Sequence, residues 1–198
     1  MTLAKHLALA LIAGFALPDL AAAHAPADAS GGFTSGILHP LGGLDHMVAM
    51  IAVGIWGSIL GAPLLILLPV VFPLMMALGA LMGIAGIPVP FVEIGIAASA
   101  VVLGAAVFTA FRPPVWGAVA LVGVFAIFHG HAHGTELGGT IAPSEYIAGF
   151  VLSTGLLHLV GIGLASTFET VKHMRILERA GGAVITLTGV AVLWGTVA

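Results

Sequence analysis

His39-Pro40-Leu41-Gly42-Gly43-Leu44-Asp45-His46 opens an apolar run that continues to about residue 60. Two imidazoles and a carboxylate at the mouth of a membrane-length hydrophobic segment are expensive to keep there. An ionised side chain at the centre of a spanning helix costs about 2.5–3.5 kcal/mol on insertion scales. A bound divalent metal ion would offset that cost, because imidazole nitrogen and carboxylate oxygen are its ordinary ligands. The competing reading is a polar helix cap with interfacial histidines.

The apolar run has companions. Hydrophobic residues make up 60% of the chain and charged residues 7%, with a mean hydropathy of +1.22. They fall in blocks of about twenty, the length a helix needs to cross a hydrocarbon core of about 30 Å. These values exclude a soluble domain and predict an all-α, polytopic membrane helical bundle. The net charge of −3 suggests no nucleic-acid partner, and no nucleotide-binding motif is present. With no cysteine, disulfides, thiolate metal sites and thiol catalysis are excluded. Nine histidines outnumber the five lysines and arginines, and imidazole binds metals and carries protons rather than facing lipid.

Residues 1–23 read as a cleavable signal peptide: Lys5 and His6 give a basic start, Leu7 to Leu17 an apolar core, and Pro18 a helix break. Ala21-Ala22-Ala23 supplies the small-residue cleavage site. An uncleaved first helix is the alternative. Cleavage there leaves His24 as the mature N-terminus, where a free α-amine beside an imidazole forms a chelating pair.

Six transmembrane spans are expected at about 37–60, 63–84, 91–111, 114–133, 143–167 and 177–197, forming one transport domain over 24–198. Gly61-Ala62-Pro63, Ile87-Pro88-Val89-Pro90 and Arg112-Pro113-Pro114 are the breaks. Pro40 reads as a first-turn proline, tolerated because its missing N–H is an orphan there anyway. Glu93 sits in the first turn of the third span, where the helix dipole favours a carboxylate. Exporting the N-terminus puts Arg112, Lys172, Arg175 and Arg179 on the cytoplasmic side, as the positive-inside rule demands. Both mature termini then lie outside. Small residues four apart, such as Gly57 and Gly61, Gly79 and Gly83, and Gly149 and Ser153, suit a compact bundle, whether alone or as a homo-oligomer.

Seven residues separate His39 from His46, so a regular helix puts both on one face, two turns apart, with Asp45 about 100° away. Asp45 then binds the ion from a neighbouring angle or orients an imidazole that does. The second constellation is Phe128-His129-Gly130-His131-Ala132-His133-Gly134-Thr135-Glu136. His129, His133 and Glu136 line one helical face, while His131 points elsewhere unless the glycines unwind the backbone. The alternating topology of the spans brings both constellations to the outer end of the bundle at one depth. His158, in the fifth span below Ser153 and Thr154, is a further ligand or proton acceptor, or else a buried imidazole bonded to a helix carbonyl. His173 and Glu169 read as a solvated inner loop.

His-Pro-x-x-Gly-x-Asp-His followed by Phe-His-Gly-x-Ala-His-Gly-x-Glu resembles the HupE/UreJ family. The likeness extends over essentially the whole chain, without departure in either motif. That resemblance implies a non-enzymatic secondary permease of the cytoplasmic (inner) membrane. Its cargo would be Ni²⁺, or Co²⁺ for some members, imported from the periplasm for maturation of hydrogenase or urease; the nitrogen and oxygen ligands themselves suit Zn²⁺ as well. It also implies roles for His39, Asp45, His46, His129, His133 and Glu136, and a weaker one for His131 on a variable position of the motif. No organic cofactor is expected. The other classes weighed are an intramembrane metalloenzyme, disfavoured by the absence of His-Glu-x-x-His or Gly-x-Ser-x-Gly, and a metal-binding accessory or sensor protein that does not transport.

Overall fold

Five of the six apolar blocks fold as single helices, and the breaks fall at the proline and glycine clusters. In the computed structural model, which describes residues 32–137, 143–169 and 175–198, no strand occurs among the described residues. The helices are α1 (Gly32–Gly42), α2 (Leu44–Leu60), α3 (Leu64–Ile84), α4 (Val92–Thr109), α5 (Val115–Glu136), α6 (Pro143–Glu169) and α7 (Arg175–Val197). The expected signal peptide, His24, Lys172 and His173 lie outside the described residues. Five helices are long and apolar enough to cross a membrane, and a sixth span results if α1 and α2 count together. The chain is a multi-pass helical membrane protein.

The first expected span departs from a straight helix. α1 and α2 meet at 84°, and the residue between them, Gly43, is extended with φ −100° and ψ 115°. Eleven residues of α1 reach only about 16 Å, too short to cross a bilayer core. Pro40 lies in the last turn of α1, not the first turn of a longer helix. It removes the N–H that the Gly36 carbonyl would otherwise receive. Gly42 and Gly43 then let the chain turn. His39 and His46 therefore stand on opposite sides of a bend rather than two turns apart on one straight helix.

Packing relies on glycine. A Cβ on Gly79 of α3 would fall on the Ile127 carbonyl of α5, and one on Gly130 of α5 would fall on the Met76 carbonyl of α3. Gly83 and Gly134 extend the same seam, so α3 and α5 approach backbone to backbone. The glycines beside the α5 histidines thus serve helix contact, and α5 stays helical through Glu136. Matching seams join α2 to α6 at Gly54 and Gly161, and α1 to α6 at Gly36 and Gly149. Gly61 does otherwise: with φ 74° it turns the chain after α2 and meets no neighbour.

Met50, Val53 and Trp56 of α2, Leu68, Phe72 and Met76 of α3, and Leu103 and Val107 of α4 fill the interior. Ile66, Leu74, Trp116, Leu159, Leu187 and Trp194 point outward. This arrangement, apolar outside as well as inside, suits a lipid environment. Glu93 is exposed in the first turn of α4, where its charge faces the helix N-terminus.

Candidate metal centre

Imidazoles gather where α1, the start of α2 and the end of α5 meet, and the two motifs account for all of them. The Gly43 bend carries His39 and His46 onto α5, about ninety residues away in sequence. There His39 Nε2 lies 3.5 Å from Glu136 Oε2, and His133 Nδ1 lies 3.6 Å from the same oxygen. Ligand atoms of His39, His133 and Glu136 all fall within 4.8 Å of one another. Two donors each about 2.1 Å from one ion stand roughly 3–4 Å apart, so a small closure would seat a divalent cation.

A second level lies beneath. The His46 ring is 4.7 Å from His133 and 4.7 Å from His129, while the His39 ring is 4.4 Å from His133. His133 therefore joins an outer group, with His39 and Glu136, to an inner pair, His46 and His129. The rim is the most exposed part, with Glu136 side-chain exposure 38% and His39 18%, against 12% for His46 and 3% for His133. The His129 residue, at 0%, is completely buried. A half-open carboxylate at the rim leading to dry imidazoles suits capture followed by dehydration.

Of seven buried side-chain nitrogens without a hydrogen-bond partner among the described residues, four lie at this place and three belong to His131 and His158. His46 Nε2, His129 Nδ1 and both ring nitrogens of His133 are buried without a hydrogen-bond partner among the described residues. A buried polar atom left unpaired costs about 1–3 kcal/mol, and four in one pocket call for a common occupant. Each imidazole can offer one lone pair to a metal, so the donor set fits a nitrogen- and oxygen-preferring divalent ion.

Asp45 occupies a definite position. Its Oδ1 accepts the His46 backbone N–H at 2.9 Å and lies 2.9 Å from His46 Nδ1. A carboxylate accepts, so Nδ1 carries the hydrogen and Nε2 keeps the lone pair. Such carboxylate–imidazole pairs orient metal ligands. Asp45→Asn is accordingly expected to weaken Ni²⁺ binding about 10–100-fold, measured by titration of the purified protein. Complete loss of binding would instead make the carboxylate itself a ligand.

His131 stands apart. Its Nε2 lies 2.8 Å from the Ile87 carbonyl, so it ties α5 to the turn after α3 and faces away from the cluster, as its offset of two from His129 implies. His158 is deeper, about 22 Å along α6 from Pro143. It is fully buried, and neither ring nitrogen makes a hydrogen bond among the described residues. The Pro69 carbonyl lies beside it. Pro73, with no N–H, deprives that carbonyl of its helical donor.

Four residues that the motifs do not contain complete the site. Phe72 is interposed between levels, 5.6 Å from the His129 ring and 5.3 Å from the His158 ring. Tyr146 and Phe150 of α6 flank the outer group, with Phe150 4.4 Å from His133 and Tyr146 5.9 Å from His39. Ser99 of α4 touches His129, Oγ to Nε2, at 2.8 Å. Apolar and small residues on apolar helices carry no sequence signal for such roles; only tertiary packing brings them to the histidines. Phe128, the first residue of the second motif, lies over Gly95 of α4, where any Cβ would strike its ring.

A family model described as "HupE / UreJ protein" matches residues 9–192. The chain is similar to "Protein HupE" of Rhizobium leguminosarum bv. viciae, 41% identical over 184 residues, which is 93% of this chain and 95% of that protein. No solved structure matches the chain.

Proposed function

From the premise that this chain belongs to the HupE/UreJ family, we propose that it is a secondary permease carrying a divalent transition metal inward. Ni²⁺ is the leading substrate and Co²⁺ the nearest alternative; nitrogen and oxygen donors suit both. The membrane is the cytoplasmic one, the histidine cluster faces the periplasm, and the imported ion supplies maturation of a metalloenzyme such as a hydrogenase or urease. The observation that supports this reading is the stacked arrangement of donors, a His39–His133–Glu136 triad above His46 and buried His129, with buried His158 deeper on α6. A resident catalytic metal needs one level of ligands. Passage needs several.

In the proposed path, Glu136 and His39 meet the hydrated ion at the rim, and His133 hands it to His46 and His129. Phe72 closes the way between that level and His158. Only deprotonated ligands bind, so protons compete with metal at every level and uptake weakens as the outside pH falls. With no nucleotide-binding motif in the sequence, the driving force is an ion gradient or consumption of metal inside.

Proteoliposomes loaded with a metal-sensitive dye test the reading. Saturable Ni²⁺ entry is expected, declining at acidic outside pH. A purified protein that binds Ni²⁺ and moves none across the bilayer would contradict it and favour an accessory or sensor role. His158→Gln separates the levels, because a buried intramembrane imidazole off the path would be dispensable. Ni²⁺ binding is expected to stay near that of the unaltered protein while uptake falls about tenfold or more; unchanged uptake removes His158 from the path.

A further inference from the structure

Ser99 lies on α4, outside both motifs, fully buried, and its hydroxyl meets two groups at once. Its Oγ is 2.6 Å from the Ile96 carbonyl oxygen and 2.8 Å from His129 Nε2. A hydroxyl has one hydrogen, and a carbonyl oxygen only accepts. Two oxygens 2.6 Å apart require that hydrogen between them, since lone pairs facing each other at that distance repel. Ser99 therefore donates to Ile96, and one of its two lone pairs accepts from His129 Nε2–H. The tautomer of His129 follows: the hydrogen is on Nε2, and Nδ1 holds the free lone pair. That Nδ1 is the atom found buried without a partner, in a ring 4.7 Å from His46.

We infer that Ser99 is a positioning residue of the inner level, holding His129 in the tautomer that presents Nδ1 to the metal ion. The inference rests on the metal-binding part of the proposed function and not on transport. It makes the inner pair complementary. Asp45 takes the Nδ1 hydrogen of His46 and frees Nε2, while Ser99 takes the Nε2 hydrogen of His129 and frees Nδ1. Two neighbouring imidazoles thus keep opposite nitrogens for one ion, each fixed by a neutral or anionic acceptor on its far nitrogen. His131 shows the same bond without the same consequence: its Nε2 is held by the Ile87 carbonyl, but its ring lies away from the cluster.

Nitrogen-15 NMR of histidine-labelled, metal-free protein in detergent reads the tautomer directly. Expected is a His129 signal pair with the hydrogen on Nε2, collapsing toward a tautomer mixture in Ser99→Ala. Titration with Co²⁺ alone, followed by its visible absorption, is expected to give about 10–100-fold weaker binding for Ser99→Ala. Ser99→Thr, whose hydroxyl can make the same two bonds, is expected to restore both signals. His129 carrying its hydrogen on Nδ1 in the unaltered protein overturns the inference, even if Ser99→Ala fails to fold. So does Co²⁺ affinity in folded Ser99→Ala within about twofold of the unaltered protein. Neither result bears on whether the ion crosses the membrane, which the liposome assay decides separately.

Discussion

His133→Ala is expected to abolish Ni²⁺ binding and uptake together. Every other candidate ligand belongs to one level: His39 and Glu136 to the rim, His46 and His129 to the pair beneath. His133 touches both, with Glu136 Oε2 3.6 Å from its Nδ1 and the His39 and His46 rings 4.4 and 4.7 Å away. Its removal breaks the rim triad and the handover at one stroke. The loss should exceed the roughly 10–100-fold that follows from disturbing an outer hydrogen-bond partner. Isothermal titration with Ni²⁺ and dye-loaded proteoliposomes measure the two effects. His133→Ala also leaves a small cavity beside Phe150, so the variant's thermal midpoint is read alongside. Retained binding in a folded His133→Ala protein would dissolve the link between the two levels.

The second large effect concerns packing. Gly130→Ala places a methyl group on the Met76 carbonyl oxygen, a backbone atom that cannot swing aside. Overpacking of a close-packed interior costs typically about 1–3 kcal/mol, occasionally more, and a rigid backbone partner puts this site at or above the upper end. α3 and α5 must separate, and His129 and His133, on either side of Gly130, move with α5. Lost stability and lost metal binding are therefore expected together. Gly155→Ala is the control. That glycine, within α6, has nothing within 4 Å of where the methyl would go, so the better helix former should be neutral or stabilise by up to about 1 kcal/mol. Thermal unfolding in detergent distinguishes the two; equal midpoints would refute the seam.

Much of this was readable from residue order. Apolar blocks of helix-spanning length give five of the helices closely, from α3 to α7. The spacing of His129, His133 and Glu136 puts them on one face because α5 runs unbroken to Glu136. His131 is set apart by the same periodicity. Gly42-Gly43 marks in the sequence a place where the backbone can leave helical geometry, but not the 84° turn found there. Pro40 and two glycines fit a tolerated helix start as well as a break, and hydropathy is blind to direction. A straight helix would align His39 and His46 on one face; in the fold each instead meets His133, from opposite sides of the bend.

Ser99, Phe72, Tyr146 and Phe150 illustrate the other limit. A serine that bonds the carbonyl three residues back is ordinary within a helix, and phenylalanines in apolar spans are usually filler. Their meaning comes from which helices touch, and the glycine seams that decide this act through absent side chains. Gly130 and Gly134 read in sequence as points where α5 could unwind. In the fold they are where α3 rests.

The most direct test of the central claim, that the two motifs build one metal site, is nickel X-ray absorption on the Ni²⁺-loaded protein in detergent. The expected spectrum shows mixed nitrogen and oxygen ligands with the outer-shell scattering of two or more imidazoles, and His133→Ala taken through the same loading retains no nickel with that signature. An all-oxygen shell without imidazole scattering, unchanged by His133→Ala, would contradict it.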